Sequence, residues 1–134
     1  MKKHFAFLLF FILQSTFYIS LAQSPNTWTQ RASFPGSPRV GAVSFTIGEK
    51  AYVGTGQDSS NNLLTDFWEY DPATNVWTQL QDFAGSARRS AAGFAIGTKG
   101  YLGTGFDGAS NLLDFWEYDP SLNAWNQKKN LSNF

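Results

Sequence analysis

The acids and bases that could do chemistry in this chain come in two matched sets. Asp58, Asp66 and Glu69 recur as Asp107, Asp114 and Glu117, and Arg39 recurs as Arg88. A Glu inside a strand can act as a general acid or base, and an Arg fork can hold a carboxylate by two parallel hydrogen bonds. A catalytic group is seldom wanted twice in one place, whereas a packing group is. Glu69 and Glu117 are therefore read as structural, each paired with a nearby cation or amide. Asp66 and Asp114 are read as satisfying loop backbone. Arg39, Arg88 and Arg89 are ligand-binding candidates; the alternative for Arg39 and Arg88, present in both sets, is that they brace the fold. Asp58 with Asn62, and Asp107 with Asn111, make oxygen-rich loops that are candidates to touch a ligand. Calcium takes about six to eight oxygens, and neither loop spells a cage. No metal and no cofactor are expected.

Positions that differ between the sets are informative in another way. Arg89 stands where the first set has Val40, and Phe106 where it has Gln57. A cation beside an exposed aromatic suits an acidic peptide or glycan. The alternative is neutral drift between duplicates.

Other chemistries are excluded by composition. The 134 residues hold no Cys and one His, His4. Residues 1–22 read as an export signal: Lys2 and Lys3, then the apolar run Phe5–Leu13, then Ser20-Leu21-Ala22 before a cut ahead of Gln23. Gln14, Ser15 and Thr16 interrupt the stretch, which argues against an uncut membrane span. Without that segment the chain has neither His nor Cys, so no Ser-His-Asp triad, thiol nucleophile or His-ligated metal is possible within it. The expected location is secreted, periplasmic or at the cell surface. Ten basic and ten acidic residues give no net charge, which argues against a nucleic-acid partner. No membrane contact beyond the signal is expected.

The two sets belong to a tandem repeat. Aligning 28–76 with 77–124, with one gap at Thr65, gives 28 identities in 48 pairs. Trp28-Thr29-Gln30, Trp77-Thr78-Gln79 and Trp125-Asn126-Gln127 punctuate it. Each unit reads as four short strands: Val40–Ile47, Ala51–Thr55, Asp66–Tyr70 and Val76–Leu80, then 89–96, 100–104, 114–118 and 124–128. Phe67 faces one way, Trp68 and Tyr70 the other. A four-stranded meander of this length, repeated, suggests β-propeller blades, whose two faces are both buried.

The order Arg, apolar strand, Tyr52-x-Gly54-x-Gly56, polar loop, then Tyr70-Asp71-Pro72-x-x-Asn75-x-Trp77 resembles the Kelch repeat, as in Kelch propellers and the central domain of galactose-oxidase-like proteins. It covers about 28–130. One departure is that the family's paired glycines are split here, as Gly54-Thr55-Gly56 and Gly103-Thr104-Gly105. The resemblance implies the fold and partner binding at the rim of the wheel, where arginines entering the innermost strand often reach acidic ligands. It does not imply an oxidase, whose copper chemistry uses His, Tyr and Cys.

The expected architecture is all-β: a Kelch-type β-propeller fragment with two four-stranded antiparallel blades, 39–80 and 88–128. Residues 23–38 are a lead-in whose Trp28–Gln30 forms the outer strand of a preceding blade, and 129–134 are a truncated tail. A blade face of about 300 Å² is worth on the order of 8 kcal/mol when covered. Bare outer faces therefore call for further blades in a longer chain, or for self-association of two to four copies. The expected function is an exported, non-enzymatic interaction module binding protein or glycan through rim loops. The alternative is part of a carbohydrate- or sugar-acid-active propeller enzyme.

Overall fold

The computed structural model describes residues 27–131. The expected export segment, the first part of the lead-in and the end of the tail lie outside the described residues. The strands, in order, are β1 (Arg39–Val40), β2 (Val43–Ile47), β3 (Lys50–Gly54), β4 (Gln57–Asp58), β5 (Phe67–Asp71), β6 (Val76–Gln79), β7 (Ala92–Ile96), β8 (Lys99–Gly103), β9 (Phe115–Asp119) and β10 (Ala124–Lys128). All pair antiparallel. β2-β3-β5-β6 form one sheet, blade 1, and β7-β8-β9-β10 a second, blade 2; β1 pairs β4 alone. No helix occurs among the described residues.

Local chemistry sets the turns. The first hairpin of each blade turns on Gly48 or Gly97, at φ near +60°. The turn before each outer strand closes on Asn75 or Asn123, also at positive φ, while Asp71 or Asp119 accepts a backbone N–H two residues on. At the split glycines, Thr55 and Thr104 take positive φ, a costly conformation for a β-branched side chain. Thr55 is fully buried, and its hydroxyl lacks a hydrogen-bond partner among the described residues.

Three expectations fail. The first strand of blade 2 covers Ala92–Ile96 and not 89–96, because Ser90, at φ +56°, breaks it and leaves Arg89 in an isolated bridge to Phe106. The first strand of blade 1 is not continuous over Val40–Ile47. Gly41, at φ +62°, breaks it, so that Arg39–Val40 pair with Gln57–Asp58 while Val43–Ile47 pair with β3. The sequence also predicts a strand over Trp28–Gln30, and none forms there. A strand needs a ladder partner, and no described strand lies alongside it. Trp28 is 97% exposed, whereas its counterparts Trp77 and Trp125 pack against Phe34 and Phe83 at 5.0 Å.

The core lies between the blades. The front face of blade 1 carries Val43, Phe45, Tyr52 and Phe67. It packs on the back face of blade 2, which carries Gly93, Gly100, Leu102, Tyr118 and Trp125. Phe67 meets Tyr118 and Trp125 edge-on at 4.9 Å. The glycines are needed because blade 1 intrudes there. A Cβ on Gly93 would lie 2.2 Å from Val43, and one on Gly100 2.3 Å from the Phe45 ring.

Candidate functional site

Each blade contains one buried ion pair that ties its entry to its third strand. Arg39 donates to both carboxylate oxygens of Asp66, at 2.5 and 2.7 Å, and to the carbonyls of Ser37 and Thr55. Arg88 repeats the set on Asp114, Ser86 and Thr104. The Trp68 and Trp116 indoles donate to the same carboxylates at 2.8 Å. Phe34 and Phe83 lie under the guanidinium groups at 5.0 and 4.8 Å. Burial works to raise the Asp66 and Asp114 carboxyls, but the hydrogen bonds from arginine and indole outweigh it and hold both below the usual range. Asp66 and Asp114 therefore do not serve loop backbone as expected. They are the counter-ions of Arg39 and Arg88. Arg88 is 0% exposed with its fork fully occupied, so in this structure it braces the blade and presents nothing to a ligand.

The glutamates are occupied as well. Glu69 accepts from Lys50 at 2.6 Å and from Tyr52 at 2.7 Å. Glu117 accepts from Tyr101 at 2.9 Å and pairs with Lys128. Burial, then the bond to Glu69, raises the Tyr52 phenol; burial and the charge of Glu69 push Tyr118 up to about 12. Lys99 pairs with Asp119, and that contact with the Ser121 hydroxyl lowers the Asp119 carboxyl to about 2. Each of these groups is spent on a partner within its blade, the opposite of a poised acid–base pair.

The loops form a rim. β1 lies beside β4, with Arg39 opposite Asp58 and Val40 opposite Gln57. In blade 2 the corresponding bridge joins Arg89 to Phe106, and the guanidinium sits 5.6 Å from the ring centre. The two differences picked out in the sequence are thus one coupled exchange: a Val–Gln pair in one blade is an Arg–Phe pair in the other. The rims of the two blades are continuous. Ser90 N–H donates to the Gly41 carbonyl, and Gly56 N–H to the Arg88 carbonyl.

Asp58 and Asp107 shape their loops. Asp58 accepts from the Asn62 amide side chain, the Asn62 backbone and the Ser60 backbone, which lower its carboxyl in that order. Asp107 accepts from the backbone of Ser110 and Ala109, again lowering it. Asn62 is exposed and spends its side chain on Asp58, while Asn111 bridges to Phe106 across its loop. Among the described residues no cluster of carboxylates could hold a metal ion. An open pocket of about 390 Å³ lies on the blade 1 rim, lined by Pro38, Arg39, Val40, Gln57, Asp58, Ser59 and Asn61. Gln57, Ser59 and Asn61 offer neutral hydrogen-bonding groups there. Sequence reading placed their loop on the rim but singled out only its Asp and its last Asn. The pairing of Val40 with Gln57, which builds the pocket wall, depends on the break at Gly41.

The Kelch motif matches residues 38–84, the first of these units. The chain thus carries a Kelch motif over its first repeat unit. The chain superposes on the solved structure of YjhT with a TM-score of 0.69, at 22% identity, covering 82% of this chain and 43% of that one. Over 67 residues the chain is 35% identical to the N-acetylneuraminate epimerase of Yersinia enterocolitica, a stretch that is 46% of this chain and 17% of the epimerase. The chain thus spans less than half the length of either relative.

Proposed function

We propose that these Kelch blades form a binding module whose rim recognises a polar partner, a glycan or an acidic protein segment, and that the module works outside the cytoplasm once residues 1–22 are removed. One observation carries this. The rim pocket presents neutral polar groups, the Ser59 hydroxyl, the Asn61 side chain and the Gln57 amide, whose Nε2 donates to the Asn61 carbonyl at 3.2 Å, while the acids beside it are spent on structure: Asp58 on its own loop and Asp66 on Arg39. Such a wall can orient hydroxyls and amides but has no free acid–base pair. Arg89, exposed on Phe106 next to Gly41, adds a cation at the edge that suits a carboxylate. The test is NMR titration with neutral and acidic oligosaccharides and with acidic peptides. Shifts centred on 38–40, 57–61, Arg89 and Phe106 support the reading; saturating titrations that leave these signals in place refute it.

The identity with an N-acetylneuraminate epimerase favours a second reading, in which the rim takes a sugar acid and belongs to an enzyme completed by further blades. Conversion of N-acetylneuraminate to its epimer by this chain, followed by NMR, would replace the first reading with the second.

A further inference from the structure

The front face of blade 2 is built like the front face of blade 1 but nothing among the described residues covers it. Phe94, Tyr101 and Phe115 stack on one another at 5.4 to 5.9 Å, in the register of Phe45, Tyr52 and Phe67. Phe94 is 42% exposed and Ile96 64%. At the other end of the pair, the back face of blade 1 shows Ser44, Ala51, Val53, Trp68, Tyr70 and Trp77, the counterparts of the blade 2 residues that cover blade 1. The molecule thus displays both halves of the interface it already contains.

The halves match in size as well as kind. Inside the molecule Val43 presses on Gly93, Phe45 on Gly100, and Leu102 fills between. Between the free faces the first pair becomes Ala92 against Ser44 and the second Phe94 against Ala51, with Val53 in place of Leu102. Ser44 and Ala51 add three heavy atoms over the two glycines. Ala92 and Val53 remove three relative to Val43 and Leu102. The bulk at the centre of the contact is conserved although every partner except the Phe has changed, as close packing requires. Lys128, standing where blade 1 has Leu80, is drawn back to Glu117 at 2.9 Å at the margin of the face.

We propose that the front face of blade 2 receives the back face of blade 1 of a second copy, head to tail. Such a contact is heterologous, and rotation about the blade axis closes it into a ring. Propellers of four to eight blades correspond to two to four copies. The inference is independent of what the rim binds.

Disulfide trapping tests it, because the chain has no Cys of its own. Ser44 and Ala92 lie on opposite outer faces of one molecule and meet only between copies, at the position of the Val43–Gly93 contact, close enough for a Cys pair. Full-length chains carrying Ser44→Cys are mixed with differently tagged chains carrying Ala92→Cys and mildly oxidised. The expected product is the mixed dimer. Products joining two Ser44→Cys chains, or two Ala92→Cys chains, mean symmetric stacking and overturn the proposal, as does absence of any cross-link. Sedimentation of the unaltered chain gives an independent readout. Two to four copies are expected, with association about 30-fold weaker or more in Phe94→Asp; a monomer at high concentration overturns the proposal.

Discussion

Phe45, Tyr52 and Phe67 in blade 1 and Phe94, Tyr101 and Phe115 in blade 2 occupy the same register in the same strands. The first three are buried, Phe45 at 8% exposure; the second three are part open. The strands are alike, so the difference comes from the neighbour. A blade acquires a buried face only when another blade lies on it, and the covering blade must give way: Gly93 and Gly100 are the adjustment. The ion pairs behave oppositely. Arg39–Asp66 and Arg88–Asp114 have the same geometry in both blades, because each closes within its own blade.

That contrast can be broken at its strongest point first. Phe45→Ala is expected to cost about 4 kcal/mol and Phe94→Ala about 1 or less, measured by urea unfolding in solution dilute enough to keep copies apart. Equal costs would show that the two faces are not differently covered. Next, Arg88→Ala leaves a half-buried Asp114 without its cation and is expected to cost about 3 kcal/mol. Restoring neutrality with Asp114→Asn in the same chain should recover part of it, since the uncompensated charge is removed. A smaller cost, about 2 kcal/mol, is expected for Gly100→Ala, which forces a methyl into the Phe45 ring, whereas Ala51→Ser on the free back face of blade 1 should change stability by less than about 0.5 kcal/mol. Thermal melts of the two variants decide it.

Acid is the gentlest probe, and the Arg–Asp pairs of the two blades should respond to it alike. Asp66 and Asp114 have folded pKa values below the unfolded value of about 3.9, so their contribution is present above that pH and lost as pH falls through the folded values. Asp119, lowered to about 2, retains its share longest. The melting temperature should therefore decline below about pH 4. A flat profile down to pH 2 would contradict the role given to these carboxylates.

Much of the fold could be read from the residues. The repeat set the strand count, and alternation in Phe67-Trp68-Glu69-Tyr70 set the faces. Turn chemistry placed Gly48 and Asn75. The break at Gly41 was hidden, because alternation runs through it and only a positive φ reveals it. Trp28 misled, since a strand signature has force only where another strand offers hydrogen bonds. The candidate site was less legible. The sequence brought Arg39, Arg89, Asp58 and Phe106 to one rim but could not show that Asp66 takes up Arg39, a partner 27 residues away. Pairing of Arg89 with Phe106 was likewise invisible, because cross-loop register follows from the fold and not from local order.

The salt link inside each blade has a consequence for descent. A segment that carries its own counter-ion can be copied by unequal recombination without orphaning a charge, and the daughter is solvent-compatible from the first generation. Only the surfaces where siblings touch must then drift. The differences Ser44 against Gly93 and Ala51 against Gly100 fall on those surfaces, while the Arg and Asp are the same in both blades.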